Sequence, residues 1–147
     1  MIREPFTNNN HKYLKYTNML LFLSIAYFLC TIPDIKNHPK VEFILVGFLL
    51  CTILCSQLFW DHPIQHSMIH KIDAIVAKIV IFSFILYTLM YKFKITFLLV
   101  LAAIFISFYF SHKYSTQEWC STNHLCCHGL MHIFCFIATF YTFSCIV

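Results

Sequence analysis

Apolar residues gather into five long runs, approximately Tyr16–Ile32, Val41–Phe59, Ile72–Tyr91, Ile95–Phe110 and Leu125–Val147, with short polar stretches between them. Each lies near the roughly 17–25 residues that a helix needs to cross a bilayer, the fourth being the shortest. Backbone amides cannot go unpaired in hydrocarbon, so the runs predict helices, and the short connections make successive helices alternate in direction. The expected fold class is all-α: a polytopic membrane protein, a bundle of about five transmembrane helices. Residues 1–15, "MIREPFTNNNHKYLK", read as a polar N-terminal tail, and residues 16–147 as a single bundle with no length left for a soluble domain. Lys12 and Lys15 precede the first run as in a signal peptide. The following "LCTIPDIKNHP" has no small-residue cleavage pattern, so a retained helix is expected.

Composition supports the same class. Of the 147 residues, 60% are hydrophobic and 11% charged, against about 25% charged in an ordinary soluble domain. The net charge of +4 is spread over several loops, and no Lys/Arg run interleaved with aromatics points to nucleic acid. The partner implied is the bilayer itself. Among the eight cysteines, Cys30, Cys51, Cys55, Cys135 and Cys145 lie within apolar runs, where a thiol acts as a small hydrophobe. Only Cys120, Cys126 and Cys127 sit near a loop, so no disulfide framework is expected.

Alternation of direction gathers the polar groups. If the first helix begins on the near side, His62, His66 and His70 fall in the near-side loop between the second and third helices. His112 and His124 flank the near-side loop before the last helix, which His128 and His132 enter. His11 is also near-side, and His38 alone is far-side. Ser56 and Asp73 join the near-side group. Arg3, Lys12, Lys15, Lys71 and Lys113 stand on the near side against Lys36, Lys40, Lys92 and Lys94 on the far side. That balance is too even for the positive-inside rule to orient the chain.

The spacing of these groups suggests chemistry. His124, His128 and His132 recur every four residues, so a helix stacks them on one face. Two imidazoles at that spacing can share a zinc ion. Pro63 suits a first helical turn, and from it His66, His70 and Asp73 follow one stripe. A carboxylate at membrane depth is expensive unless paired or solvated, which makes Asp73 a functional candidate. Blander roles compete. Single histidines near helix ends commonly rest in the interfacial region, and His11, His38 and His112 read that way. Serine in a membrane helix often bonds its own backbone. Lys78 can snorkel, and Glu118 and Trp119 suit interfacial anchoring.

The blocks "SQLFWDHPIQHSMIHKIDA" (Ser56–Ala74) and "HLCCHGLMHI" (His124–Ile133) together resemble the alkaline ceramidase, adiponectin-receptor and hemolysin-III-like superfamily of membrane hydrolases. The shared order is a serine near one helix end, an aspartate at the start of the next helix, and H-x-x-x-H in the last. The resemblance implies a zinc ion (Zn2+) on three histidines, with serine and aspartate around its water. His128 and His132 would be two ligands, and Ser56 and Asp73 the catalytic pair. Two departures stand out. Trp60 occupies the position one turn after Ser56 where the family has its third histidine, leaving His62 as the nearest replacement and His70 the next. The family also has seven helices; loss of a pair before the last preserves the shared face.

On this resemblance the chain is expected to be a shortened, divergent member acting as a zinc-dependent intramembrane hydrolase of a lipid amide or ester. Zinc would lower the pKa of its water to about 7. Asp73 would take or orient its proton, and Ser56 would bond the water or the oxyanion. An acyl-amide lipid could reach the site from within the leaflet. The competing expectations are a catalytically degenerate receptor or scaffold and, third, a haem clamped by imidazoles.

Overall fold

The computed structural model describes residues 11–31 and 40–144. Six helices follow in order: α1 (Lys12–Met19), α2 (Leu21–Thr31), α3 (Lys40–Asp61), α4 (Met68–Tyr91), α5 (Ile95–Gln117) and α6 (Thr122–Ser144). Leu20 alone separates α1 from α2, so the two form one span, Lys12–Thr31, and five helical segments are long and apolar enough to cross a membrane. The protein is an all-α, multi-pass bundle, as its apolar pattern implies. Ile32 and residues 145–147, at the ends of two expected runs, lie outside the described residues, as does His38.

Element ends differ from the hydropathy pattern for physical reasons. The first helix starts at Lys12, inside the expected tail, because Lys15 turns to an ion pair with Asp61 at the end of α3 while Leu14 beside it is fully buried. Hydropathy averages those two opposite environments. The fourth run continues to Gln117 through the polar "SHKYSTQ", where the Ser115 and Thr116 hydroxyls bond the helix itself, donating to the His112 and Lys113 carbonyls.

The last helix is the hub. It packs against α1, α2, α4 and α5, and α3 packs against α1, α2 and α4. The main core joins Leu21, Ile25 and Phe28 of α2 to Leu45, Leu49 and Ile53 of α3, Val80 and Phe84 of α4, and Phe143 of α6. Leu54, Leu58, Phe82, Leu99 and Ile106 face outward, as side chains bathed in hydrocarbon would. Gly129 lets α1 approach α6. A Cβ there would sit 2.9 Å from Tyr13 Cε2, and small residues at such crossings are a membrane-bundle device.

At the end of the bundle opposite the histidines, Lys92 Nζ lies 2.5 Å from Glu42 Oε1 with both side chains almost wholly buried. The ammonium also donates to the Thr142 carbonyl (2.9 Å), and Tyr87 donates to Glu42 Oε1 (2.7 Å). The hydroxyls of Thr88 and Thr142 meet at 2.8 Å. Sequence reading treats Lys92 as an interfacial far-side charge; the fold turns it inward, where pairing and extra hydrogen bonds offset its desolvation. The start of α3 and the ends of α4 and α6 thus meet at this end, in agreement with alternating helix directions.

Candidate functional site

The near end of the bundle holds a cavity of about 530 Å³. Ser56 and Trp60 from α3, His70 and Asp73 from α4, Ser111 and His112 from α5, and His124, His128 and His132 from α6 line its polar end. Phe84, Phe97, Leu101, Ile104 and Phe108 supply apolar walls.

Two loops of matching local design close the near end. His66 and Cys120 both adopt left-handed backbone, with φ of 64° and 59°, a conformation that costs a non-glycine residue roughly 1–2 kcal/mol. A serine follows each. Ser67 Oγ accepts the His70 N–H (3.2 Å), and Ser121 Oγ accepts the His124 N–H (3.3 Å). Each histidine then reaches back. The His66 N–H donates to His70 Nδ1 (2.9 Å), and the Cys120 N–H donates to His124 Nδ1 (3.1 Å). This is the logic of a capping box, with imidazole in place of the usual Glu or Gln and the bond made one residue earlier. Trp119 joins the loops: its ring lies 5.2 Å from His70 and 4.9 Å from His124, and its Nε1–H donates to the Pro63 carbonyl (2.9 Å).

These bonds settle where imidazole protons reside. A neutral ring has one N–H and one lone pair. In His70 and His124 the Nδ1 lone pair takes a backbone N–H, so the proton sits on Nε2. His132 is the reverse. The Thr17 hydroxyl lies 3.1 Å from the Leu14 carbonyl and 2.9 Å from His132 Nδ1; with its hydrogen on the carbonyl it accepts from His132 Nδ1–H, and His132 Nε2 then keeps its lone pair. His128 Nδ1 pairs with the Ser111 hydroxyl at 3.1 Å. The rings of His128 and His132 are 4.9 Å apart and those of His124 and His128 5.8 Å.

Among the residues singled out by sequence, Ser56, Asp73, His128 and His132 share the cavity. Asp73 is half-buried and makes no hydrogen bond or ion pair to any described residue. His62 is not brought to them: it is exposed, lies outside the cavity lining, and its N–H closes a turn onto the Phe59 carbonyl (3.2 Å). His112, read from sequence as interfacial, lines the cavity and stacks on Phe108 (ring centroids 6.4 Å apart), and His11 is buried at the start of α1. Trp60 is 1% exposed, presents its ring edge-on to His128 at 5.1 Å, and its Nε1–H meets no hydrogen-bond partner among the described residues.

A three-imidazole zinc centre does not fit these side chains as they stand. Histidine ligands normally donate their second ring N–H to an acceptor, which His132 does toward Thr17. His70 and His124 instead accept at Nδ1 and present Nε2–H, leaving no lone pair for a metal. His62 is outside the cavity. Among the described residues no three His, Cys, Asp or Glu side chains are placed to hold one ion. The seven described cysteines are all free. Cys120 is buried, and burial pushes its thiol up to about 12.

Sequence reading passed over Thr17, Ser111 and the Trp60 indole. The twin loops did carry a signal: "HSMIH" and "CSTNH" share the S-x-x-H spacing of a capped helix start.

Fold and cavity define an integral, multi-pass helical membrane protein that encloses a chamber polar at one end and apolar along its walls. In comparisons with known proteins, no family model, no curated protein and no solved structure matches the chain.

Proposed function

We propose that the bundle binds an amphipathic molecule drawn from the bilayer, its head at the histidine end and its tail along the apolar walls, and serves as a lipid receptor or scaffold. The observation that carries this reading is Trp60 Nε1–H, buried and without an acceptor among the described residues, on a side chain that lines the cavity. Such an orphan donor costs about 1–3 kcal/mol, which a ligand oxygen would recover. The cavity volume falls within the roughly 300–1,000 Å³ of small-molecule sites. The order Ser56, Asp73, His128 and His132 still resembles the ceramidase-like superfamily, but among the described residues no three His, Cys, Asp or Glu side chains are placed to hold the ion that a hydrolytic reading needs.

The test is composition of the purified protein. Prepared in mild detergent without chelator and extracted for mass spectrometry, it should yield about one lipid per chain, with less in Trp60→Phe, and zinc only at background. Stoichiometric zinc that disappears in His128→Ala, together with cleavage of an acyl-amide lipid, would overturn this reading in favour of the zinc-dependent hydrolase.

A further inference from the structure

We infer that the polar end of the cavity is a metal-free hydrogen-bond site that selects an uncharged hydroxyl head group, an inference that rests on the amphiphile reading above. Trp60 Nε1–H is a donor without a partner among the described residues. His70 and His124 are made Nε2–H donors by the backbone bonds that fill their Nδ1 lone pairs. Opposite in character are His132 Nε2, whose lone pair is free because Nδ1–H is spent on Thr17, and the Asp73 carboxylate.

These groups line one chamber. Ring centroids run from His124 to Trp60 at 6.5 Å, from Trp60 to His128 at 5.1 Å and from His128 to His132 at 4.9 Å. Donors therefore cluster toward the loops, and the free lone pair of His132 lies two helical turns deeper on α6, toward the apolar walls. A cationic head would suit Asp73 but would find only donors in Trp60 Nε1–H and in the Nε2–H groups of His70 and His124. An anionic head would suit the N–H groups but would have to carry its charge into a low-dielectric end of the bundle beside Asp73. A hydroxyl oxygen accepts from one side and donates to the other, so it satisfies both sets without carrying charge into a low-dielectric end of the bundle. His70, a candidate third ligand, offers zinc no lone pair, since its Nδ1 accepts a backbone N–H and its Nε2 carries the proton.

The experiment uses the full chain, delipidated and reconstituted in nanodiscs, with three ligands of one chain length: decanol, decanoate and decylammonium. Decanol is expected to bind at least about tenfold more tightly than either ion, and Trp60→Phe to weaken decanol by roughly tenfold, the equivalent of one hydrogen bond. In parallel, long-range proton–nitrogen NMR of histidine-labelled protein should show Nε2–H at His70 and His124 and Nδ1–H at His132, unchanged by equimolar zinc. Preference for decanoate or decylammonium overturns the inference and leaves the amphiphile reading intact. Binding of none of the three overturns both. An Nδ1–H signal at His124, or zinc-induced shifts of its ring, overturns the metal-free assignment whatever the ligands do.

Discussion

Thr17 holds His132 in a single tautomer: with its hydroxyl hydrogen committed to the Leu14 carbonyl, its oxygen accepts from His132 Nδ1–H at 2.9 Å. Replacing Thr17 by Val keeps the shape and removes the acceptor. The expected loss is about 1–2 kcal/mol of unfolding free energy, because the imidazole N–H is left unpaired at a buried position. Thr17→Ser should lose little. Thermal unfolding in a fixed detergent separates the two variants, and equal losses would show that the hydroxyl has no such role.

The buried pair of Glu42 and Lys92 predicts an asymmetry between single and double substitutions. Removing one partner strands a charge, at a cost of about 3–5 kcal/mol, whereas replacing both by apolar residues of similar volume is often close to neutral. Glu42→Leu and Lys92→Met are each expected to unfold at markedly lower temperature, and the double variant to recover most of the loss. A double variant as unstable as the sum of its parts would show that the two side chains are not energetically coupled and would overturn this expectation.

Gly129 predicts a steric effect with a specific remedy. Gly129→Ala places a methyl against the Tyr13 ring, and overpacking of this kind costs typically 1–3 kcal/mol. Because the clashing atom is a side-chain carbon of Tyr13, Tyr13→Ala in the same chain should restore much of the loss. A loss unchanged in the pair would place the strain in the helix backbones.

Cys120 sets a pH dependence. Its folded-state thiol is raised to about 12, so it stays protonated at pH 8, and only the thiolate is a strong nucleophile. Maleimide should label exposed Cys126 at that pH long before Cys120. In the folded chain Cys120 keeps its proton to higher pH than in the unfolded chain, so it contributes stability below about pH 9 that is lost as pH climbs toward 12. Cys120→Ser should flatten that alkaline decline, and an unchanged slope above pH 9 would assign it to another group.

Much of the architecture was legible because membrane spans are written in long-range composition: a run of twenty apolar residues permits one structure, and alternation does the rest. The same reasoning placed Ser56, Asp73, His128 and His132 on one face, and they share one cavity. What it could not show was which nitrogen of an imidazole is engaged. That depends on the backbone of Cys120 and His66 entering the left-handed region and on the Thr17 hydroxyl, a contact 115 positions away in sequence. Seeking the missing ligand by proximity in sequence led to His62, two residues from Trp60, whereas the helix ends there and the chain turns outward. Lys92 was likewise invisible as a core residue, because a basic residue beside a loop usually stays wet and only tertiary pairing brings it in.

Because α6 touches four of the other helices and supplies three of the imidazoles, the chamber exists only once that helix is in place. Chains emerge from synthesis with their N-terminal portions first, so Ser56, Trp60 and Asp73 enter the bilayer as an open groove between helices that are already inserted. On the amphiphile reading, a ligand would meet that open groove before α6 packs against it.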